Sequence, residues 1–392
     1  MNPRKITEKV HWMGSIDWNS RLFDELIPLP DGTSYNAFLL EGSEKTALID
    51  TVEAPFFSEL EHQLKDVTKL DYLISLHAEQ DHSGSIPAVL AKYPEAKLIT
   101  TPKAKGMLLD LLDIAEDRII TVEDKETLSL GDKTLEFIHM PWVHWPETMV
   151  AYLKEDKILF SCDLFGSHIA TADLFVTDEA RAYEAAKRYY AEIMMPFRQI
   201  IKKHLEKLEP YAIDMIAPSH GPLLNRPAFI LDAYKDWIDG AMKNTVVLPY
   251  VSMHQSTQAM VDYLISALTD AGVKVELFNL TVTDTGKLAI ALVDAGTIVI
   301  GTPTVLAGPH PAAAYCTFLA NALRPRTKYL SIIGSYGWGG KTVDILAGMI
   351  PNLKVEIIEP VLSKGYPSQE VFESLQTLAQ TIAAKHKEQG FM

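Results

Sequence analysis

The chain has 392 residues, too many for one ordinary core, and 47% of them are hydrophobic, which predicts two well-packed globular domains. The formal net charge of −15 disfavours nucleic acid as a partner, and no run approaches the ~18 consecutive apolar residues of a membrane-spanning helix. The only cysteines are Cys162 and Cys316, which excludes a disulfide framework and a rubredoxin-type iron site and favours a cytoplasmic location.

Up to about residue 244, short apolar segments predict strands with irregular connections. These segments are NAFLLEG, KTALIDTV, DYLISLH, AKLITT, TLEFIHM, MVAYLK and KILFSCD. Turns containing Gly or Asp join the strands of LSLGDKTLEFI and LKEDKILFS, which predicts hairpins. Helices are predicted at PFFSELEHQLKDV and in a long stretch from Glu179 to Leu208. Residues 1–244 are therefore expected to form a mixed α/β layer structure with antiparallel sheet.

From Thr245 onward, strands and helices alternate strictly. Strands are predicted at VVLPYVSM, KVELFNL, TIVIGTPT, KYLSIIGSYG and VEIIEPVL, with helices between them and an amphipathic helix at the end. This alternation predicts a doubly wound parallel sheet of flavodoxin-like order in residues 245–392. The final helix is expected to pack across one face of that sheet.

The segment HAEQDHSG follows the apolar run YLISL and holds four ligand-type residues within six positions. They are His77, Glu79, Asp81 and His82. Burying unpaired charged groups costs several kcal/mol, so a buried cluster of this kind requires a counter-ion. A solvent-exposed polar loop is the alternative.

Three more ligand-type residues, His144, Asp163 and His220, occur at or just after the ends of apolar strands. Strand ends are rigid supports, so we expect them to converge with the first cluster on a metal site. Zinc sites favour His and Cys, whereas carboxylates are harder, anionic donors that stabilise higher oxidation states. The carboxylates therefore favour iron, and the number of ligands suits two ions that share one bridging carboxylate.

The motif HxExDH, followed by His144, Asp163 and His220, resembles the metallo-β-lactamase-like domain of flavodiiron proteins, also called A-type flavoproteins. The resemblance covers nearly the whole chain, because a flavodoxin-like domain follows in that family too. It implies a metallo-β-lactamase-like αββα sandwich followed by a flavodoxin-like doubly wound sheet. The implied ligands are His77, Glu79 and His144 for one iron and Asp81, His82 and His220 for the other, with Asp163 bridging the two.

Three loops leave the carboxyl ends of strands in the second domain, where a doubly wound sheet binds its ligand. SMHQST precedes a helix whose N-terminal N–H groups suit a phosphate, although an ordinary helix cap by Ser256 is the alternative. GTPTVLAGP is the second loop, and GSYGWGGKT offers Tyr336 and Trp338 as flat surfaces for an isoalloxazine ring. GSYGWGGKT departs from a P-loop because Ser335 stands where that motif requires Gly.

Together these loops resemble the FMN-binding loops of the same family. The residues expected to bind FMN are Ser252, Met253, His254, Gln255, Ser256, Thr257, Thr302, Pro303, Thr304, Leu306, Ala307, Gly308, Ser335, Tyr336, Gly337, Trp338, Gly339 and Gly340.

The resemblance implies an oxidoreductase in which FMN passes electrons from a separate donor to the irons. The implied reactions are reduction of dioxygen to water and coupling of nitric oxide to nitrous oxide. The donor is expected to be rubredoxin, another small carrier, a nicotinamide-dependent reductase or a reduced deazaflavin. A head-to-tail homodimer, or a dimer of such dimers, is also implied, with the FMN of one subunit beside the irons of the other.

Two functions of other classes stay open on the residues alone. One is a zinc-dependent metallo-hydrolase fused to a flavodoxin-like module, which metal analysis distinguishes from an iron enzyme. The other is a flavin electron carrier or sensor with a structural metal site, which would reduce dioxygen slowly and yield peroxide.

Overall fold

The computed structural model describes all residues from Met1 to Met392, and the chain separates into two compact units. The first unit contains Met1–Tyr190 and Phe197–Tyr234, and the second contains Ala191–Pro196 and Lys235–Met392. The domain boundary predicted between residues 244 and 245 stays a prediction.

The first unit is built from short strands and short helices. Its strands are β1 (Arg4–Lys5), β2 (Val10–Trp12), β3 (Ser15–Asp17), β4 (Leu22–Phe23), β5 (Ile27–Pro28), β6 (Thr33–Tyr35), β7 (Phe38–Glu41), β8 (Thr46–Ile49), β9 (Tyr72–Ile74), β10 (Lys97–Thr100), β11 (Ile119–Thr121), β12 (Thr127–Ser129), β13 (Thr134–His139), β14 (Met149–Leu153), β15 (Ile158–Cys162) and β16 (Met215–Pro218). Its helices are α1 (Phe57–Gln63), α2 (Gln80–Ser83), α3 (Ile86–Lys92), α4 (Pro102–Leu111), α5 (Glu179–Tyr189) and α6 (Arg198–Leu208), and α7 (Pro227–Asp239) runs into the second unit.

Two sheets form the centre of the first unit. One has the order β1-β2-β7-β8-β9-β10-β11, and the other has the order β12-β13-β14-β15-β16. The two predicted hairpins are confirmed, because β12 pairs with β13 and β14 pairs with β15, both antiparallel. At the far edge β15 and β16 are parallel, so their carboxyl ends meet on one side of the sheet.

The two sheets pack face to face over an apolar core. Phe38 of the first sheet contacts Phe160 of the second, with ring centroids 5.0 Å apart, and Phe137 lies in the same cluster. The opposite face of the first sheet is covered by α1, α3 and α4, which contribute Leu60, Val89 and other residues to a separate core. Alternate residues of one strand, such as those of β7, therefore serve different cores.

The stretch predicted to be helical from Glu179 to Leu208 is not one helix. It forms α5 and α6, separated by a π-helical turn at Tyr190–Met194 and a 3₁₀ turn at Met195–Phe197. Pro196 lies in this break. Because proline lacks an N–H donor and its ring clashes with the preceding turn, a continuous α-helix cannot pass through it.

The second unit is a parallel sheet with helices. Its strands are β17 (Lys243–Tyr250), β18 (Lys274–Asn279), β19 (Ala295–Val305), β20 (Gly308–Pro309), β21 (Tyr329–Tyr336), β22 (Glu356–Ile357) and β23 (Val361–Lys364), and its helices are α8 (Ser256–Asp270), α9 (Thr285–Leu292), α10 (Pro311–Leu323), α11 (Thr342–Gly348) and α12 (Gln369–Glu388).

The order β18-β17-β19-β21-β22 is that of a flavodoxin-like sheet, as predicted, and β23 also pairs with β21. The predicted strand VEIIEPVL is divided into β22 and β23. Pro360 lies at the division, where it can donate no ladder hydrogen bond. Helices α8 and α12 pack together on one face of the sheet through residues such as Leu264 and Leu375. None of the helices combines the length and the apolar character needed to cross a bilayer.

His386 fastens the end of α12 to the sheet. The imidazole is fully buried, its Nδ1–H donates to Asn244 Oδ1 at 2.8 Å, and its Nε2 accepts from the Thr297 hydroxyl at 2.7 Å. Burial lowers the pKa of His386 to about 4. The ring is therefore neutral at pH 7, with one nitrogen donating and the other accepting.

We expect protonation of His386 to destabilise the protein in mildly acidic solution. An unfolded histidine has a pKa of about 6.5, so the folded state binds fewer protons than the unfolded state between that pH and about 4. The stability that the neutral His386 contributes is fully present above about pH 6.5 and is lost as the pH falls toward 4. Thermal unfolding across this range should therefore depend less on pH in His386→Gln than in the native chain.

The exposed His62 supplies the control, because His62→Gln removes a histidine that has no such burial. If the unfolding temperature depends on pH in the same way in the native protein, the His62 variant and the His386 variant, the assignment of this pH dependence to His386 is wrong.

Candidate metal centre and flavin loops

The HAEQDHSG segment follows β9 and contains the single helical turn α2. His77 and Glu79 precede this turn, whereas Asp81 and His82 lie within it. All four side chains are buried, so the alternative of a solvent-exposed polar loop is wrong.

The other three predicted ligands follow strands of the second sheet. Asp163 comes directly after β15, and His220 is the second residue after β16. His144 lies in the turn between β13 and β14. The parallel pairing of β15 with β16 places Asp163 and His220 at the same sheet edge.

One group of side chains consists of His77, Glu79, His144 and Asp163. Glu79 Oε2 lies 3.0 Å from His77 Nε2 and 3.1 Å from His144 Nε2. Asp163 Oδ2 lies 3.4 Å from His77 Nε2 and 3.6 Å from His144 Nε2. Two imidazoles and two carboxylates thus direct their donor atoms toward one point.

The second group consists of Asp81, His82 and His220, joined by the other oxygen of Asp163. Asp81 Oδ2 lies 3.2 Å from His82 Nε2 and 3.1 Å from His220 Nε2. Asp163 Oδ1 lies 3.1 Å from His82 Nε2 and 3.4 Å from His220 Nε2. The two oxygens of Asp163 therefore face different groups, and all seven predicted ligands are brought together.

Several of these donor atoms are buried without a hydrogen-bond partner. Both oxygens of Asp81, both oxygens of Asp163 and both ring nitrogens of His82 are in this condition. A buried polar atom left unsatisfied costs about 1–3 kcal/mol, so the cluster would be costly without further partners. Imidazole nitrogens and carboxylate oxygens are ligands of first-row transition metals, and a pair of such ions fits these residues.

The electrostatics of the cluster also call for positive charge. Burial opposes ionisation of Asp163, but the imidazoles of His82 and His77 hold the pKa of this carboxyl well below its usual value. Burial likewise opposes protonation of His82, but Asp81 and Asp163 raise its pKa to about 9. Protons on the imidazoles thus balance the carboxylates in the metal-free protein, and metal ions would displace them.

Two of the ligand histidines have well-defined partners at Nδ1. His77 Nδ1 lies 2.7 Å from Glu147 Oε1, and His220 Nδ1 donates to the Ser34 carbonyl at 2.7 Å. These hydrogen bonds fix the ring orientations with Nε2 toward the centre of the cluster. Sequence reasoning missed Glu147 and Ser34. The available signal for Glu147 was a carboxylate three residues after His144.

Access to the cluster is one-sided. The side chains of His144, Glu79 and Asp81 are 16%, 11% and 7% exposed, whereas those of His77 and Asp163 are fully buried. In the turn between β4 and β5, burial followed by the charges of Glu79 and Asp81 raises the pKa of the Asp24 carboxyl. A small molecule would therefore reach the cluster past these residues.

His168 and Tyr189 line the buried side. The His168 ring lies 4.8 Å from the rings of both His220 and Tyr189, and its Nδ1 is 2.9 Å from Thr33 Oγ1. Burial, reinforced by the neighbouring His220, keeps the pKa of His168 well below its usual value. A neutral His168 packed against His220 supports this predicted ligand from behind.

The three predicted flavin loops are adjacent at the carboxyl edge of the parallel sheet in the second unit. Thr257 Oγ1 and Ser335 Oγ, 2.9 Å apart, join the first loop to the third. The second loop joins the third because Lys341 N donates to the Ala307 carbonyl at 3.1 Å. In the second loop, β19 and β20 form a hairpin whose turn residues Leu306 and Ala307 are both left-handed.

The first flavin loop ends at helix α8, whose N-cap residue makes no capping hydrogen bond with its side chain. Gln255 occupies the N-cap of α8 in a left-handed conformation, with no side-chain hydrogen bond to the helix. The alternative of a helix cap by Ser256 is therefore wrong. Ser252 Oγ accepts the N–H of Gln258 in the first turn of α8 at 3.1 Å, and the other N-terminal N–H groups of the helix are suited to an anion such as a phosphate.

Comparison with known proteins extends these observations over the whole chain. The family described as ODP family beta lactamase matches residues 33–221. The chain is 36% identical to the nitric oxide reductase of Moorella thermoacetica, covering 98% of both chains. It resembles the solved rubredoxin oxygen:oxidoreductase from Desulfovibrio gigas, with a TM-score of 0.95, 32% identity and 99% of both chains covered.

The flavodiiron protein from Giardia intestinalis has the same fold, with a TM-score of 0.91, 26% identity, and coverage of 99% of this chain and 98% of that one. These similarities extend through both units and include the metallo-β-lactamase-like domain and the parallel sheet. The chain therefore belongs to the flavodiiron family of oxidoreductases, the A-type flavoproteins.

Proposed function

We propose that this chain reduces dioxygen to water, and nitric oxide to nitrous oxide, at a pair of irons supplied with electrons by FMN. The single observation that carries the proposal is Asp163, whose two oxygens face two separate groups of ligands. The names of the relatives support both substrates, since one is a nitric oxide reductase and another a rubredoxin oxygen:oxidoreductase. When bound, FMN would collect electrons and the irons would bind and reduce the gas.

We assign the metal ligands as the sequence predicted them. The first iron would be held by His77, Glu79 and His144, the second by Asp81, His82 and His220, with Asp163 bridging them. Glu79 is the residue that favours iron over zinc, because it puts an anionic oxygen between two imidazoles where a zinc hydrolase would present a third imidazole. The zinc-hydrolase alternative thus loses its most typical ligand.

The ligand assignment predicts different losses for different variants. Asp163→Asn should lose both irons, because its two oxygens serve both positions, whereas Glu79→Ala should lose only the iron at the His77 position. Asp50→Asn is the matched control, since Asp50 is a buried neighbour whose carboxylate accepts from Leu76 N and belongs to neither group. Metal analysis of protein purified from iron-supplied cells measures the content per chain. Zinc in place of iron in the native chain would refute the proposal.

We further propose that the three loops of the second unit bind FMN. The phosphate would be held at the N-terminus of α8, where Ser252 and Thr257 add hydroxyl groups. Tyr336 and Trp338 lie within the third loop, and the Trp338 side chain is 76% exposed, so a flat ring system would cover apolar surface there. The other loop residues assigned to FMN are Met253, His254, Gln255, Ser256, Thr302, Pro303, Thr304, Leu306, Ala307, Gly308, Ser335, Gly337, Gly339 and Gly340.

The electron donor would be a separate protein or a reduced small molecule. The relative from Desulfovibrio gigas is named for rubredoxin, which makes a rubredoxin the first donor to test. No rubredoxin-type iron site is present in this chain, because its two cysteines are buried and in separate units.

The gas reactions test the function directly. Protein reduced anaerobically is mixed with dioxygen or with nitric oxide, and we expect rapid oxidation that yields water without accumulated peroxide, or nitrous oxide. Asp163→Asn with bound FMN is the control, because a flavin alone oxidises slowly and releases peroxide. Native protein that behaves like this control would be a flavin carrier, and the proposal would be wrong.

A homodimer is proposed because each unit exposes large apolar side chains around its own site. In the first unit Trp18, Leu22 and Trp142 are about half exposed, and in the second Leu306 and Trp338 are 95% and 76% exposed. Contiguous exposed apolar surface, unlike single scattered side chains, marks an interaction surface. In a head-to-tail dimer these two surfaces would cover one another.

Mixing two inactive variants tests the head-to-tail arrangement. Asp163→Asn lacks irons but keeps FMN, and Thr257→Glu should keep irons but repel the FMN phosphate by like charge. Unfolding and refolding the mixture should restore part of the activity, since in a mixed dimer the FMN of one subunit serves the irons of the other. Restored dimers in analytical ultracentrifugation without restored activity would show that electrons pass within one chain.

A further inference from the structure

The two metal positions differ in what supports their histidine ligands from behind. In the first group, His77 Nδ1 lies 2.7 Å from Glu147 Oε1, a carboxylate oxygen. In the second group, His220 Nδ1 donates to the neutral Ser34 carbonyl, and His82 Nδ1 is buried without a partner. Only the first position therefore has an anion one hydrogen bond beyond a ligand.

Glu147 is held firmly in this role. Both Glu147 and His77 have fully buried side chains, and Glu147 Oε1 also accepts from Ala78 N at 3.0 Å. Thr148 Oγ1 is 3.5 Å from the same His77 nitrogen and instead donates to the Trp145 carbonyl at 3.2 Å, so it does not compete. The geometry leaves Glu147 as the main partner of His77 Nδ1.

Glu147 acts as a hydrogen-bond acceptor in this position. One of its oxygens, Oε1, faces both His77 Nδ1 at 2.7 Å and the N–H of Ala78 at 3.0 Å. A carboxylate that accepts from the Nδ1–H of a metal-bound histidine makes the opposite nitrogen a stronger donor. The effect would reach only the metal position that His77 serves.

We propose that Glu147 is a positioning residue that makes the two metal positions unequal. Through His77 it strengthens binding of the ion at the position formed with Glu79 and His144, and it stabilises the oxidised state of that ion. This iron is therefore the first to lose an electron when the reduced centre is oxidised. The inference rests on the proposed function, because it assumes a pair of irons at these seven residues.

The experiment compares Glu147→Gln and Glu147→Asp with the native chain. Glutamine keeps an oxygen for Ala78 N but removes the charge, whereas aspartate keeps the charge on a shorter side chain. Anaerobic titration with iron(II) against a chelator should show about 10–100-fold weaker binding of one of the two ions in Glu147→Gln and unchanged binding of the other. Glu147→Asp should recover part of this loss.

A redox titration followed by electron paramagnetic resonance gives the second measurement. In the native protein the half-oxidised state, with one iron oxidised, should accumulate over a wide range of potential. In Glu147→Gln this range should narrow, because the potential of the His77 iron rises toward that of its neighbour. Samples are compared at equal iron content, so incomplete loading does not imitate the effect.

Asp50→Asn provides the matched control. Asp50 is equally buried and close to the second group, but its Oδ1 accepts from Leu76 N and its Oδ2 lies 3.4 Å from Ser219 Oγ, so neither oxygen is bonded to a ligand histidine. In this variant the affinities of both metal positions for iron should be the same as in the native chain.

The outcomes separate the inference from the proposed function. Native protein that binds no pair of irons would overturn the proposed function and the inference together. Native protein with two irons, combined with unchanged affinities and an unchanged half-oxidised range in Glu147→Gln, would overturn the inference alone. Equal weakening of both ions would assign Glu147 a general structural role and would also reject the inference.

Discussion

The buried Asp163 carboxylate is the constraint on which the rest of the site depends. One oxygen faces His77 and the other faces His82, at 3.4 Å and 3.1 Å from their Nε2 atoms. The backbone must therefore deliver a side chain between two groups of ligands that lie on opposite sides of it. Position after β15 achieves this, because the neighbouring parallel strand β16 brings His220 to the same edge while the β9–α2 connection brings the HAEQDHSG cluster from the other sheet.

This arrangement explains which residues of the site could be predicted from the sequence and which could not. The convergence of the seven residues proposed as ligands was predictable, since six positions of HAEQDHSG contain four of them and the other three follow apolar strands. Glu147 and Ser34 were not, because each acts through one hydrogen bond to a residue far along the chain, 70 positions from His77 and 186 from His220. The first pair joins the loop after β9 to the loop between β13 and β14, and the second joins the loop after β16 to β6 of the small β3–β6 sheet, so no local sequence pattern indicates either pair.

In the second unit, too, some features follow from the sequence pattern and others do not. Strict alternation of apolar strands and helices was sufficient to predict the parallel sheet and its strand order. It was not sufficient for the last strand, where Pro360 interrupts the ladder, or for the left-handed Gln255 that begins α8. Both exceptions are set by single backbone positions. The left-handed Gln255 also bears on the site, since its own side chain does not cap the N-terminus of α8.

The same sheet edge could support hydrolysis or redox chemistry, and the charge of the ligand set decides between them. Glu79, Asp81 and Asp163 put three carboxylates around two metal positions, and the pKa values of Glu79 and Asp163 are both held low by neighbouring imidazoles despite burial. Surrounding anions stabilise the more highly charged form of a metal ion, which matters only for an ion that changes charge. Zinc does not change its oxidation state, so this concentration of buried negative charge would bring it no redox advantage. For bound iron it would lower the energy of the oxidised state, and under the proposed role of Glu147 the ion held by His77 would gain most. An unequal pair of this kind gives the site a defined order of electron loss, which a symmetric ligand set would lack.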